Sequence, residues 1–215
     1  MKNGGKSPFI RPLYHFKKEA TQAINFPVLM PDSFPLPFRK FCCLVVAESK
    51  SSVWCGAGTL TEMGILTARH LLVHKTQITN KWASFLLDGN DWATISLGDV
   101  LIEDKTNDIV ILSHPILSSH FTPIKIGWFI KDILFTPDNL WAFGCPLGLL
   151  GKVWRPRFIG ISNKKIYTKN FACPGVSGGG IFTKTGEEWY VWAVHSELYP
   201  QGWTLLSSIA DLKFQ

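Results

Sequence analysis

The segment Cys173-Pro174-Gly175-Val176-Ser177-Gly178-Gly179-Gly180 sets one serine in a run of glycines, directly before the apolar pair Ile181-Phe182. A hydroxyl is a poor nucleophile until a base removes its proton, and acyl transfer also needs backbone N–H groups aimed at the developing oxyanion. Glycine tolerates the backbone angles of such a turn, so Gly175 and the residues around Ser177 can supply it. A base and its orienting carboxylate must come from elsewhere in the chain. The apolar run Gly64–Ala68 leads through Arg69 to His70, and Asp108 opens a second apolar run from Ile109 to Leu112. His70 fits a general base whose other ring nitrogen donates to a carboxylate; the plainer alternative is a histidine at a strand end. Asp99, Glu103 and Asp104 compete with Asp108 for the carboxylate role but read as a solvated loop, whereas a strand begins immediately after Asp108. Arg69 is expected to point to solvent.

The order histidine, aspartate, serine resembles that of the trypsin-like (chymotrypsin-fold) serine proteases, and the resemblance runs from about Phe41 to the C-terminus. It implies an all-β fold: two six-stranded antiparallel β-barrels with the active site between them and a short C-terminal helix. It also implies hydrolysis of a polypeptide substrate through an acyl-enzyme, without a cofactor, by His70, Asp108 and Ser177. The oxyanion hole would be Gly175 and Ser177. Trp141–Gly148, followed by Phe158–Ser162, is similar to the second-barrel segment of the high-temperature-requirement proteases. Val191–Ser196 is similar to the matching strand of viral chymotrypsin-like polyprotein proteases. Val176 stands where secreted members carry an aspartate that pairs with a newly cut N-terminus, so that activation route is not expected.

The same resemblance sketches a substrate pocket. Phe171 takes the position of the trypsin pocket-floor aspartate, with Ala172 beside it, which disfavours Lys or Arg in the pocket. His195 falls on the opposite wall, and Ser196, Glu197 and Leu198 would pair with the substrate backbone. A histidine there can donate to a Gln or Glu side chain; the alternative is a satisfied histidine in a pocket for an apolar side chain.

Positioning these residues requires many short strands. They are expected over 42–47, 64–68, 92–97, 108–112, 140–143, 157–162, 180–183 and 190–194, a pattern of sandwiches and barrels. Residues 41–118 form the expected first barrel and 119–215 the second, closed by a helix over Ser208–Lys213. Residues 1–40 carry Pro8, Pro12, Pro27, Pro31, Pro35 and Pro37, and read as a basic, extended arm.

With 215 residues, 46% of them hydrophobic and 18% charged, the composition is that of a globular protein and excludes a disordered chain. No apolar run reaches membrane-spanning length, and Met1-Lys2-Asn3-Gly4 opens no secretory segment, so an intracellular chain is expected unless it is cut from a precursor. Leu71 and Leu72 follow His70 where extracellular relatives place a bridged cysteine, and no cysteine follows Cys173. The five cysteines therefore read as thiols, and no Cys/His spacing suggests a metal. The net charge of +6 gathers at Lys2, Lys6, Arg11, Lys17 and Lys18, and again at Lys152, Arg155, Arg157, Lys164, Lys165 and Lys169. It reads as a solvated surface; nucleic-acid or anionic-membrane contact is the alternative, and no RNA-recognition signature accompanies it. Three function classes follow: a serine endopeptidase of viral or intracellular kind, a catalytically silent binding module of the same fold, or an RNA- or membrane-associated module.

Overall fold

The computed structural model describes residues 35–72, 77–87, 92–115, 121–127, 140–148, 151–162, 165–169, 174–198 and 203–208. The expected closing helix lies outside these residues except for Ser208, which ends a strand. No helix among the described residues is long and apolar enough to cross a membrane.

The first sheet is built from β1 (Cys42–Ser49), β2 (Val53–Thr61), β3 (Gly64–Ala68), β4 (Ile78–Leu86), β5 (Trp92–Ser96), β6 (Val100–Asp104) and β7 (Ile109–Leu112). Its strands run in the order β5-β4-β1-β2-β3-β7-β6, every neighbour antiparallel. The two outer strands are consecutive in the chain. Laid flat, seven strands would hold them about 29 Å apart at ~4.8 Å per strand, yet the four residue steps from Ser96 to Val100 reach about 14 Å at most. The sheet must curl until its edges meet. At the corner, Leu97 N–H still bonds Lys81 O on β4 at 3.0 Å, while Gly98 N–H has crossed to Ser113 O, just past β7, at 2.8 Å. β5 and β6 are thus one strand bent at Leu97–Asp99, and the sheet is a closed ring of six.

The second sheet repeats the device. Its strands are β8 (Lys125–Ile126), β9 (Trp141–Gly144), β10 (Lys152–Trp154), β11 (Arg157–Ser162), β12 (Lys165–Lys169), β13 (Gly180–Thr185), β14 (Glu188–Leu198) and β15 (Trp203–Ser208). The path β10-β9-β13-β14-β15-β12-β11 again ends on two strands adjacent in sequence, separated by Arg155 and Pro156. Proline has no N–H for a ladder, so the strand breaks there and turns the corner. The two-residue β8 pairs in parallel with β14, an addition to the antiparallel barrel that the sequence did not announce.

Each barrel buries the inward face of its strands. β1, β3 and β7 are buried nearly throughout. One apolar cluster joins Val45, Leu60, Leu66 and Ile111 of the first barrel to Phe143, Phe182 and Val194 of the second. Within the expected N-terminal arm, Phe38 joins this core. Pro35 and Pro37 do not prevent the short helix α1 (Leu36–Arg39), since proline is tolerated in a first turn. That turn inserts Phe38 between Trp189, Trp141 and Phe182, with ring centroids 4.8, 5.6 and 5.9 Å away. Cys42, Cys43 and Cys145 are buried free thiols, and Cys55 is half-buried. Burial alone pushes the Cys55 thiol up to about 11, which leaves it protonated near neutral pH.

Candidate functional site

Strand register brings His70 and Asp108 together. β3 and β7 are antiparallel with Ala68 opposite Ile109, so the residues just after β3 face those just before β7. The ladder continues one step further, with Arg69 N–H donating to Asp108 O at 2.9 Å. The chain then tightens into a single 3-10 turn over Arg69–Leu71, which presents His70 at the barrel rim. Asp108 adopts φ +55°, a left-handed conformation that aspartate tolerates better than most residues. Its Oδ1 accepts the His70 backbone N–H at 2.8 Å, and its Oδ2 lies 2.6 Å from His70 Nδ1. With a proton on Nδ1 donated to the carboxylate, Nε2 is left as the acceptor on the open side of the ring. The His70 side chain is 42% exposed, so its ring is open to a bound molecule.

Two neighbours that the sequence reading left to solvent support this pair. Glu103 forms an ion pair with Arg69 Nε, tying β6 to the 3-10 turn. Asp104 accepts the N–H groups of Thr106 and Asn107, each at 2.9 Å, and Asn107 Nδ2 at 2.7 Å. It thereby shapes the tight turn that ends on Asp108. An aspartate followed at two and three residues by Thr106 and Asn107 is an Asx-turn pattern, so this role was readable; nothing in the sequence pairs Arg69 with a residue 34 positions away.

Ser177 reaches the same rim through glycine contacts. Ala57 N–H donates to Ser177 O at 2.7 Å, linking the serine loop to β2. A Cβ on Gly56 would stand 2.7 Å from Ser177 O and would overlap the Leu71 side chain. Gly178, at φ +80°, packs so closely that a Cβ would stand 2.9 Å from Ala68 N and overlap Ala57 O and Thr67 Oγ1. The residue after Ser177 therefore touches the strand end that carries His70. Among the described residues no hydrogen bond joins Ser177 Oγ to His70, and neither Gly175 N–H nor Ser177 N–H has an acceptor. Gly175 stands at φ +94°, and its carbonyl turns away to accept Cys145 N–H at 3.1 Å. Val176 is buried against Gly144, where a Cβ would meet its Cγ1 at 2.7 Å; this is an apolar niche rather than a site for an ion pair.

His195, on β14, is bound to the same loop by two backbone hydrogen bonds of 2.8 Å, Gly178 N–H to His195 O and His195 N–H to Gly179 O. Its ring is buried, with a centroid 5.5 Å from that of Trp154, and neither ring nitrogen has a hydrogen-bond partner among the described residues. Loss of water pushes its pKa down to about 3, so the ring is neutral at ordinary pH. Ser196 is buried, Glu197 is exposed, and position 198 ends β14 opposite Thr204. Phe171 and Ala172 lie outside the described residues. The Trp154 ring against His195 was not foreseen; it follows from the barrel path, which no local pattern reveals.

Two sheets curled into six-stranded rings, with His70, Asp108 and Ser177 at their junction, define a chymotrypsin-like protease fold. No protein-family model and no curated protein sequence matches the chain. Solved structures do. A thermostable serine protease from an extremophilic microorganism superposes with a TM-score of 0.61 at 12% identity, over 81% of this chain and 93% of that one. A serine endoprotease from Yersinia pestis gives 0.61 at 18% identity over 85% of this chain. This chain spans 64% of the length of that enzyme. The protease Anisep from Arthrobacter nicotinovorans gives 0.60 at 13% identity, over 79% and 90%. At such identities the likeness is one of fold.

Proposed function

We propose that this chain is a serine endopeptidase in which Ser177 is the nucleophile, His70 the general base and acid, and Asp108 the orienting carboxylate. The observation that carries the reading is the doubly bonded pair, His70 Nδ1 at 2.6 Å and His70 N at 2.8 Å from the two oxygens of Asp108. In the proposed reaction Ser177 Oγ attacks the scissile carbonyl while its proton passes to His70 Nε2. Asp108 stabilises the imidazolium, and the N–H groups of Gly175 and Ser177 hold the oxyanion. His70 then protonates the departing amine, leaving an acyl-enzyme. Water, deprotonated by His70, attacks that ester and regenerates the Ser177 hydroxyl. No cofactor enters this scheme. The substrate would lie between a first barrel over 41–118 and a second over 119–215, with its backbone along 196–198.

The pocket is proposed to read a Gln side chain through His195, and Glu less well. The support is a buried ring with two unpartnered nitrogens, pushed down to about 3 and therefore neutral. A carboxamide can satisfy a neutral imidazole, whereas a carboxylate would be buried without a counter-charge. A second reading, a catalytically silent binding module, is favoured by the absence of a Ser177 Oγ to His70 hydrogen bond among the described residues. A fluorophosphonate that acylates activated serines decides between them. Labelling of the parent and none of Ser177→Ala supports the enzyme; an unlabelled, folded parent supports the binder.

A further inference from the structure

The hairpin β11–β12 turns a charged face outward on the far side of its buried positions Ile166 and Thr168. Register places Arg157 directly opposite Lys169 and Gly160 opposite Tyr167, and Lys165 alternates with Tyr167 and Lys169 on the same, outward side. Arg157 and Lys169 are exposed, and Lys165 and Tyr167 half-buried. Like charges directly across an antiparallel pair cost stability, and no ion pair offsets them among the described residues. No acidic residue stands in β10, β11, β12 or the neighbouring β15. A basic surface of this kind, left without carboxylates over β10, β11, β12 and β15, is complementary to a polyanion.

The shape of the face selects among polyanions. Tyr167 lies midway along β12 between Lys165 and Lys169, alternate residues on one side of a strand, each roughly 7 Å from the next. Its cross-strand neighbour is Gly160, above which a Cβ would meet no described residue within 4 Å. Among the described residues, open space therefore lies beside the tyrosine ring. Ile159, displaced by the register shift between Phe158 and Gly160, is 42% exposed at the edge of that space. An aromatic ring with open room beside it, flanked by cations, matches the stacking-plus-phosphate pattern of single-strand binding. A base stacked on the ring with its phosphates on the flanking cations would use every part of this face at once.

We propose that the outward face of β11 and β12 is a docking surface for single-stranded nucleic acid, with Tyr167 stacking a base and Arg157, Lys165 and Lys169 contacting phosphates. The surface is independent of the serine chemistry, so the proposal stands or falls apart from it. The test titrates the full chain into a fluorescently labelled single-stranded RNA, and a DNA of the same sequence, of about a dozen nucleotides. Anisotropy is followed from about 50 to 200 mM salt. Binding that weakens steeply with salt is expected. Tyr167→Ala should weaken it by about tenfold while Tyr167→Phe keeps parent affinity, as loss and retention of one stacked ring predict. Joint Arg157→Ala and Lys169→Ala should flatten the log–log salt slope by about 1.4, at ~0.7 for each lost phosphate contact. Lys50→Ala, an exposed cation on the first barrel, should change nothing. Hydrogen exchange of the parent with RNA should protect 157–160 and 165–169, which keeps the test decisive if a variant misfolds. Absence of binding at 50 mM salt, an equal loss in Lys50→Ala, or protection elsewhere overturns the proposal. So does binding to phosphatidylserine vesicles with no RNA binding, which would assign the face to a membrane.

Discussion

Asp108 grips His70 at two points, the backbone N–H through Oδ1 at 2.8 Å and the ring through Oδ2 at 2.6 Å. The first contact fixes where the residue sits; the second fixes which ring nitrogen carries the proton. Asp108→Asn keeps the size of the side chain but places an amide where one acceptor was, favouring the wrong tautomer. For the proposed enzyme, kcat should fall by about 10⁴-fold with KM little changed, and Ser177→Ala and His70→Ala should each lose nearly all activity. Steady-state kinetics on a peptide substrate checks this, and full turnover by Ser177→Ala would sink the mechanism.

The turn beneath Asp108 offers a finer distinction. Asp104 holds three donors there, whereas Glu103 makes a single surface ion pair with Arg69. Partly exposed ion pairs contribute about 0–1 kcal/mol, and a carboxylate accepting several N–H groups contributes more. Asp104→Ala should therefore lower kcat/KM and thermal stability clearly, and Glu103→Gln scarcely at all. Equal losses from both substitutions would show that the turn is held by something other than Asp104.

Gly178→Ala tests the close approach between the serine loop and β3. An alanine at φ +80° is strained by about 1–3 kcal/mol, and its methyl would overlap backbone atoms that cannot swing aside. The variant should melt several degrees lower and lose fluorophosphonate labelling even where it remains folded. Gly186→Ala, also at positive φ (+60°) but with no described residue within 4 Å of its Cβ, should share only the backbone strain. If the two variants label alike, packing at Gly178 does not position the nucleophile.

His195 ties stability to pH. Its native pKa, pushed down to about 3, lies below the ordinary value of 6.5, so the unfolded chain binds a proton that the native chain refuses. Above pH 6.5 neither state carries it and stability is unaffected by this group. Between 6.5 and about 3 stability is lost progressively, with a slope approaching ~1.4 kcal/mol per pH unit. Urea midpoints measured at pH 7 and pH 5 should drop further in the parent than in His195→Gln. Parallel drops in both would mean that the ring is solvated or paired.

How much of this was legible depends on how local each feature is. His70 and Asp108 each adjoin a short apolar strand, Gly64–Ala68 or Ile109–Leu112, and the structure brings them into contact. Ser177 announces itself by glycine density, and Gly178 explains that density by contact with Ala57, Thr67 and Ala68. β2 is hard to read locally because Gly56 and Gly58 dilute its apolar pattern, although both are needed for close packing against the opposite barrel and neighbouring strands. The corners at Leu97–Asp99 and Arg155–Pro156 appear only when strand order is known, since each closes a ring through partners far away in sequence. Phe38 was hidden by its prolines, which a first helical turn accommodates.

Specificity is the sharpest test of the second barrel. If Phe171 takes the position of the trypsin pocket-floor aspartate, as the family resemblance implies, a Lys or Arg side chain would find no buried carboxylate there. His195 is joined to Gly178 and Gly179 of the serine loop by 2.8 Å backbone hydrogen bonds, with both ring nitrogens unpartnered among the described residues. A buried donor left unsatisfied costs about 1–3 kcal/mol, which a substrate carboxamide would recover and an apolar side chain would not. Cleavage profiled on a peptide library should then favour Gln, with Glu behind it and Lys and Arg near background. His195→Ala should erase the preference for Gln by ten- to a hundredfold in kcat/KM while leaving fluorophosphonate labelling of Ser177 intact, which separates a specificity group from a structural one. Preference for Phe, Leu or small apolar residues, unchanged in His195→Ala, would show that the ring is a packing element beneath an apolar pocket.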